Sequence, residues 1–304
     1  MSTFDRPQDQ LSDRQQDRPQ DQQSDRQQDR PQDQPVERPL TARSVLASTL
    51  LGTDPPRLPV AFLVRTGALF GLSEGAVRTA LSRMVAAGEV SAEGDGRYAL
   101  DGELVSRQQR QLQSRSASTD EWSGRWRMAV VGPGSRNAAD RAALREAMQR
   151  LRMAELREGV WLRPDNLDPD RLPATSEVAA GQCRWFSVDP DVSLDRPDEQ
   201  LVAELWDVSG WSDRAVELRR RMHTLTTRLD EGSTDALAPG FVLSAAVLRH
   251  FGADPLLPRE LLPRHWPGSA LRVDYDRYDL AYRELLAEWA RRPVSGAPTL
   301  RSSE

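Results

Sequence analysis

The chain has no lysine and no isoleucine, two asparagines, three histidines and a single cysteine. Cys183 alone excludes an internal disulfide and a cysteine-cluster zinc site. His223, His250 and His265 are too scattered to assemble a metal-ligand spacing. No apolar run approaches the roughly 20 residues that span a bilayer. The N-terminus has no apolar signal core, so a cytoplasmic protein without a membrane span is expected. There is no G-x-S-x-G elbow, no H-E-x-x-H and no glycine-rich phosphate loop, which turns the expectation away from an enzyme. Missing lysine and isoleucine are what the codon bias of a GC-rich genome produces. The abundance of arginine therefore carries little information; its placement carries more.

At 304 residues the chain is long enough for two or three domains, and its formal net charge is −5. The sign is uneven. Residues 1–38 hold nine acids and six arginines, whereas residues 40–115 hold nine arginines and seven acids. The remainder is acidic again, with 26 arginines and 30 acids. An excess of two charges supports a local footprint for nucleic acid, not a basic domain.

The first residues repeat. "LSDRQQDRPQDQ" (Leu11 to Gln22) is followed directly by "QSDRQQDRPQDQ" (Gln23 to Gln34). With almost no apolar side chains, residues 1–40 are expected to be a disordered tail. Beyond them, "TARSVLASTLLG" places Val45, Leu46, Thr49 and Leu50 on one helical face, with Gly52 as its cap. "DPPRLP" breaks the chain, and Pro59 suits the first turn of a second helix, "VAFLVRTGALF", ending at Gly71. Ser73 suits the N-cap of a third, with Glu74 facing its positive end. In "LSEGAVRTALSRMVAAGEV" an apolar stripe of Ala76, Val77, Ala80, Leu81, Met84 and Val85 is predicted, and Gly88 stops the helix. Two extended runs then flank Gly94-Asp95-Gly96, whose glycines allow the positive φ of a tight turn. Three helices and a small hairpin make a winged helix-turn-helix over residues 41–105.

"SRQQRQLQSRSASTD", residues 106–120, reads as a helical or flexible linker. All eight tryptophans follow it. "RWRMAVVG", "RAALREAMQRL", "EGVWLRP" and "CRWFSV" alternate strand, helix, strand, strand, which predicts a central ferredoxin-like α+β domain over 121–195. Residues 196–292 read as a mainly helical domain whose last two helices are linked by the proline-rich "ADPLLPRELLPRHWPGS"; residues 293–304 read as a second disordered tail. The fold class is thus α+β and multidomain.

Three segments carry a resemblance to a known family. "GLSEGAVRTALSRMVAAG" resembles the recognition-helix segment of the PaaX family of transcriptional repressors of phenylacetate catabolism. "WSGRWRMAVV" with "ALREAMQRLRMAELREGVWLRP" is similar to its central domain, and "DPLLPRELLPRHWPG" to its C-terminal signature. The likeness covers roughly residues 41–292. It implies a homodimeric repressor that leaves its operator when an aryl- or acyl-coenzyme A thioester binds, phenylacetyl-CoA or a related acyl-CoA, with no cofactor.

The outward face of the third helix carries Arg78, Thr79, Ser82 and Arg83. Arginine bonds guanine bidentately and hydroxyls adapt to several partners, so Arg78 and Thr79 are candidates for base edges, and Ser82 and Arg83 for bases or phosphates. Ser73 and Glu74 sit where helix-end N–H groups favour a phosphate. Arg97 and Tyr98 in the wing, and Arg43 on the first helix, are candidate backbone contacts. The partner expected is a double-stranded operator with inverted half-sites about one helical turn, or a multiple, apart. For the implied effector, phosphates and adenine call for arginines and aromatic faces. Arg125, Trp126, Arg127, Trp161, Arg163, Arg264, His265 and Trp266 have that chemistry. Two rival readings are a ferredoxin-like metal-dependent nuclease and a module that binds only protein. The strand "RWRMAVVGPG" ends without the carboxylate such a nuclease needs, and Asp274 and Asp276 read as caps at a helix start. Protein binding alone leaves the strip on the third helix unexplained.

Overall fold

Thr41 caps the first helix: its hydroxyl accepts the Ser44 N–H at 3.1 Å and opens α1 (Ala42–Leu51). The structure, a computed structural model, describes residues 40–134, 136–189 and 197–292. Both expected tails lie outside the described residues, apart from Leu40.

Two further helices pack on α1. They are α2 (Val60–Ala68) and α3 (Glu74–Ala86), and the core between them is Leu46, Leu50, Leu63, Val77, Leu81 and Met84. The buried stripe of α3 is narrower than its apolar pattern suggests. Ala76 and Val85 stay exposed, because α1 and α2 cover only the line through Val77, Leu81 and Met84. Pro59 precedes α2 as its N-cap and does not enter its first turn. It ends a short strand, β1 (Arg57–Pro59), where the sequence predicts only a break. With β2 (Val90–Glu93) and β3 (Arg97–Leu100) this forms an antiparallel sheet of order β1-β3-β2. Proline is tolerated there because β1 is an edge. In the turn between β2 and β3, positive φ falls on Asp95 (62°) and Gly96 (74°); Gly94 does not need it.

The expected connector is a helix, α4 (Gly102–Ser116), capped by Asp101. Its Gln108 amide donates to the carbonyls of Leu51 and Thr53 at 3.2 and 2.9 Å, fastening it to the end of α1.

Next comes β4 (Trp126–Val131), α5 (Ala138–Arg150), β5 (Ala154–Arg157), β6 (Val160–Pro164), α6 (Pro173–Ala180) and β7 (Cys183–Val188). The strands form one antiparallel sheet of order β5-β6-β4-β7. Strand β6 falls on "EGVWLRP", while β5 is a further strand that the sequence did not predict, joined to it by a turn at Gly159 (φ 74°). Period-two alternation sorts β4 between two cores. Ala129 joins Leu144, Met148 and Trp161 under α5, while Trp126 joins Leu162, Leu201 and Leu257 on the other face.

The C-terminal part is helical: α7 (Asp198–Leu205), α8 (Val208–Asp230), α9 (Leu237–Gly252) and α10 (Gly268–Arg291). Tyr275, Tyr278 and Tyr282 recur at helical spacing on α10 and are buried. Tyr278 donates to the Gly240 carbonyl of α9 at 2.5 Å. Asp274 and Asp276 lie six and more residues inside α10 and do not cap it. They hold Arg219 and Arg115 at 2.6 and 2.7 Å. Altogether the described residues give an α+β protein with ten α-helices and two antiparallel sheets. No helix among them is long and apolar enough to cross a membrane.

Gly67 marks the tightest crossing of the first part: a Cβ built there falls 2.6 Å from Val77 Cγ2, so α2 approaches α3 through a missing side chain. Gly67→Ala is expected to cost about 1–3 kcal/mol by overpacking. Gly75→Ala, in open space on α3, is expected to stabilise by about 0.5–1 kcal/mol. Urea unfolding of both variants measures the contrast, and equal effects would show that the crossing yields freely.

Candidate nucleic-acid interface and a cavity between the parts

Helix α3 is fixed at its start by Ser73, whose hydroxyl accepts the Ala76 N–H at 3.2 Å. Its buried line leaves two polar rows outward. One is Glu74, Arg78 and Ser82 at spacing i, i+4. Arg78 reaches back to Glu74 at 2.7 Å, both side chains more than half exposed, and the Ser82 hydroxyl donates to the Arg78 carbonyl at 3.1 Å. The other row is Gly75, Thr79 and Arg83. These face an open groove of about 640 Å³ completed by Thr41, Arg43 and Glu89. Thr79 and Arg83 are exposed, and no side-chain partner holds either among the described residues. The exposed Glu74–Arg78 pair is weak, so another acceptor can take the guanidinium.

Arg43 lies on the rim of that groove and is held: its Nε donates to Glu89 Oε2 at 2.8 Å. The hydrogen bonds from Arg43 draw the Glu89 carboxyl below its ordinary range and lift the guanidinium. The pair clamps the start of α1 to the turn after α3. At the start of β3, Arg97 is part-exposed beside Asp95 at 3.5 Å. Tyr98 shares the face of β3 that carries buried Leu100 and packs, half-buried, against the core of the first part.

Of the candidate effector residues, Arg127 and Arg163 border one small pocket of about 150 Å³, and the others lie apart from it. Trp126 is buried, its indole N–H on Asp198 at 3.1 Å, and Trp161 is buried on the opposite face of the sheet. Strand alternation sends these two tryptophans to separate cores, which removes them as ligand contacts. Arg163 is buried as well. It is 3% exposed, and it donates to the carbonyls of Pro164, Leu151, Arg152 and Leu256 and to Asn166. Burial, then Arg152 and Arg171, push its pKa down to about 9. Arg125 is exposed beside Asp189 at 3.0 Å, and Arg127 lies 5.5 Å over the Trp185 ring. Arg264 and His265 are exposed in the proline-rich loop, while Trp266 stacks on Trp211 at 4.3 Å. That ring carries His250 on its other contact, also at 4.3 Å.

Where the three parts of the chain meet there is a cavity of about 970 Å³, near the upper end for ligand sites. The sequence reading missed it. Its polar wall is α4: Arg107, Arg110, Gln111 and Ser114 recur at i, i+3, i+4 and i+7, a periodic signal present in "SRQQRQLQSR". Arg150, Arg152 and Arg171 come from the central part, and Phe62, Phe241, Leu248 and Leu286 from α2, α9 and α10. Among the described residues, no carboxylate ion-pairs with Arg110, Arg152 or Arg171. Burial lowers the pKa of all three; Arg150 lowers Arg110 further, while Asp254 opposes the fall at Arg152 and Asp168 opposes it at Arg171. Such a cluster suits an anion. Among the described residues no three His, Cys, Asp or Glu side chains are grouped to hold a metal ion.

Comparison with known proteins follows the same three parts. Residues 41–104 match the family described as PaaX-like protein, 119–189 the PaaX protein central Cas2-like domain, and 206–292 the PaaX-like protein C-terminal domain. Among solved structures the chain is similar to the uncharacterized protein Rv0674 from Mycobacterium tuberculosis. The two are 38% identical, with 82% of this chain and 98% of that one covered and a TM-score of 0.62. No curated protein matches the chain.

His250 provides a pH test of the C-terminal part. Burial lowers its pKa, against the opposing pull of the Trp211 carbonyl that meets Nε2 at 3.0 Å. A folded imidazole depressed below the unfolded value of ~6.5 stabilises the fold above that pH and loses the contribution as pH falls through it. The urea midpoint is expected to drop between about pH 7.5 and about pH 5.5. His250→Phe is expected to flatten that slope; an unchanged slope would assign it to other groups.

Proposed function

Because the chain belongs to the PaaX-like family, matched in all three of its parts, we propose that it is a DNA-binding transcriptional regulator of phenylacetate-type catabolism. In this reading it is a homodimeric repressor that leaves an inverted-repeat operator when an acyl-coenzyme A effector binds. The first part acts as a winged helix-turn-helix, with α3 as the helix that enters the major groove. The observation that carries this is the pair of outward rows on α3, cation and hydroxyl on each, backed by a rigid apolar seam. Arg78 and Thr79 are taken as base contacts, Ser82 and Arg83 as base or phosphate contacts. Ser73, Glu74 and Arg97 border the backbone, and Arg43 orients the groove through Glu89. The central β-α-β-β-α-β order supports a ferredoxin-like reading of that part.

The effector is assigned to the cavity and not to the scattered residues first considered. A coenzyme A thioester offers phosphates to Arg110, Arg152 and Arg171 and an acyl group to the wall from α2, α9 and α10. Charge-assisted bonds to arginines that repel one another are the strong kind.

Selection of bound fragments from genomic DNA is expected to return one inverted repeat beside catabolic genes; fragments without a shared sequence would overturn the reading. On that operator, Arg78→Ala is expected to cost roughly 1–3 kcal/mol and relax one base position, measured by gel shift on matched variants. An equal loss on every sequence would make Arg78 a phosphate contact. For the effector, Arg110→Ala or Arg171→Ala is expected to weaken acyl-CoA binding by about 1.5–3 kcal/mol in calorimetry. Unchanged affinity would remove the cavity from the account.

A further inference from the structure

A second, smaller space adjoins the cavity. It measures about 150 Å³ and shares Arg150, Met153 and Arg171 with the larger one. Four guanidinium-bearing residues from four stretches of the central part border it: Arg127 of β4, Arg150 of α5, Arg163 of β6 and Arg171 just before α6. Among the described residues one carboxylate, Asp168, borders it too, and that group already accepts the Asp170 N–H at 2.8 Å. The four cations are not equal. Arg163 commits its donors to carbonyls and to Asn166, so it lends charge but no hydrogen bond. Arg171 has no carboxylate partner among the described residues, and Arg127 has only Asp165 at 3.9 Å, beyond hydrogen-bond reach. Arg150 holds Glu146 in a part-exposed i, i+4 pair, which is weak enough to be exchanged. The Trp185 ring, 5.5 Å from the Arg127 guanidinium, and Leu151 and Leu167 give the pocket apolar sides. Charge in such surroundings is poorly screened. After burial, Arg152, Arg171 and Arg127 are the like charges that depress Arg163.

Resting on the reading of the cavity as the effector site, we propose that the small pocket binds a phosphate monoester carried by the same ligand. In a coenzyme A thioester that group is the 3′-phosphate of the ribose, set apart from the diphosphate. A monoester matches the pocket in charge and in valence. It brings about two negative charges and three acceptor oxygens. Arg127, Arg150 and Arg171 offer donors from three separate elements, and Arg163 adds its buried charge. Charge-assisted bonds from planar guanidinium groups are the strong kind for such an anion. A carboxylate, with one charge and two oxygens, would leave one of the three arginines unserved. Arg127 decides the assignment, because it borders the small pocket and not the cavity.

The test compares phenylacetyl-CoA with its 3′-dephospho counterpart by calorimetry on the full chain, for the parent and for Arg127→Met. Methionine keeps an apolar stem beside Trp185 and removes the charge. The parent is expected to bind the complete thioester about tenfold more tightly than the dephospho form. Arg127→Met is expected to bind the two alike. Equal affinities in the parent, a comparison that needs no variant, would overturn the phosphate pocket and leave the effector site standing. A preference that Arg127→Met retains in full would also overturn it, since the phosphate would then lie in the cavity. Inorganic phosphate is the other source of this chemistry. If it raises the melting temperature of the parent and not of Arg127→Met while the two thioesters bind equally, the pocket belongs to the free ion and the tethered group is ruled out. Binding by neither thioester would remove the effector reading, and the phosphate pocket with it.

Discussion

Arg272 is the point on which the parts of this molecule hang. From α10 its guanidinium donates to the Ser114 and Arg115 carbonyls at the end of α4, at 3.2 and 3.1 Å. It also donates to Gly268 at the start of its own helix and to Asp254 at 2.8 Å. Asp254, almost wholly buried, spends its other oxygen on the Leu256 N–H of the proline-rich loop at 2.9 Å. A buried ion pair survives only when its remaining donors and lone pairs are satisfied. Here they are, by acceptors from three stretches of chain. A lysine offers one compact charge and cannot spread in this way; the planar fork of arginine can.

The same chemistry recurs at the other junctions. Arg65 of α2 donates to the Trp289 and Ala290 carbonyls at the end of α10, and lies 4.6 Å over the Trp289 ring. A cation there also meets the negative end of a helix dipole. Arg163 and Asn166 of the central part both reach the Leu256 carbonyl, so the proline-rich loop is tied on both sides. These are corner fastenings, and corner fastenings leave space between. The cavity is what remains among α1, α4, α5, α9 and α10 once their ends are bound. Like charge from Arg150 adds to the burial that depresses Arg110, and like charge from Arg171 does so at Arg152, where Asp254 pulls the other way. Anion binding there relieves a repulsion built in by the fastening scheme.

Local pattern made the first part legible. Caps at Gly52 and Ser73, the stop at Gly88 and the 3.6-residue spacing of α3 all depend on near neighbours, and they fall where the sequence places them. What escaped depends on distant partners. The three residues of β1 form a strand only because β3 lies beside them. The charged side chain of Arg163 is pulled inside by carbonyls as far off as Leu256. Trp126 and Trp161 carried ligand-like chemistry, but strand alternation turned each inward to a core. The cavity arginines were legible in principle from α4, since their spacing is helical. The absence of an apolar stripe made that segment look like a connector, yet a helix that borders a cavity shows polar residues where a packed one shows leucines.

The arrangement also bears on how a small molecule governs a helix that does not touch it. In the proposed reading, α1 and α2 have one side on the cavity and the other on α3. Ser48, Thr49, Leu51 and Phe62 line the space, while Leu46, Leu50, Leu63 and Val77 form the shared core behind them. A well-packed core is bistable and not continuously deformable, so a change at the cavity wall is carried to α3 as a rigid displacement of the unit. The ligand can bias that displacement only by its difference in affinity for the two positions. Groups that cross the boundary supply such a difference. A ligand held by α4 and the central part at its anionic end, and by α2 at its acyl end, changes its contacts whenever the three-helix unit moves. Contacts confined to one part would bind equally well in both positions and regulate nothing.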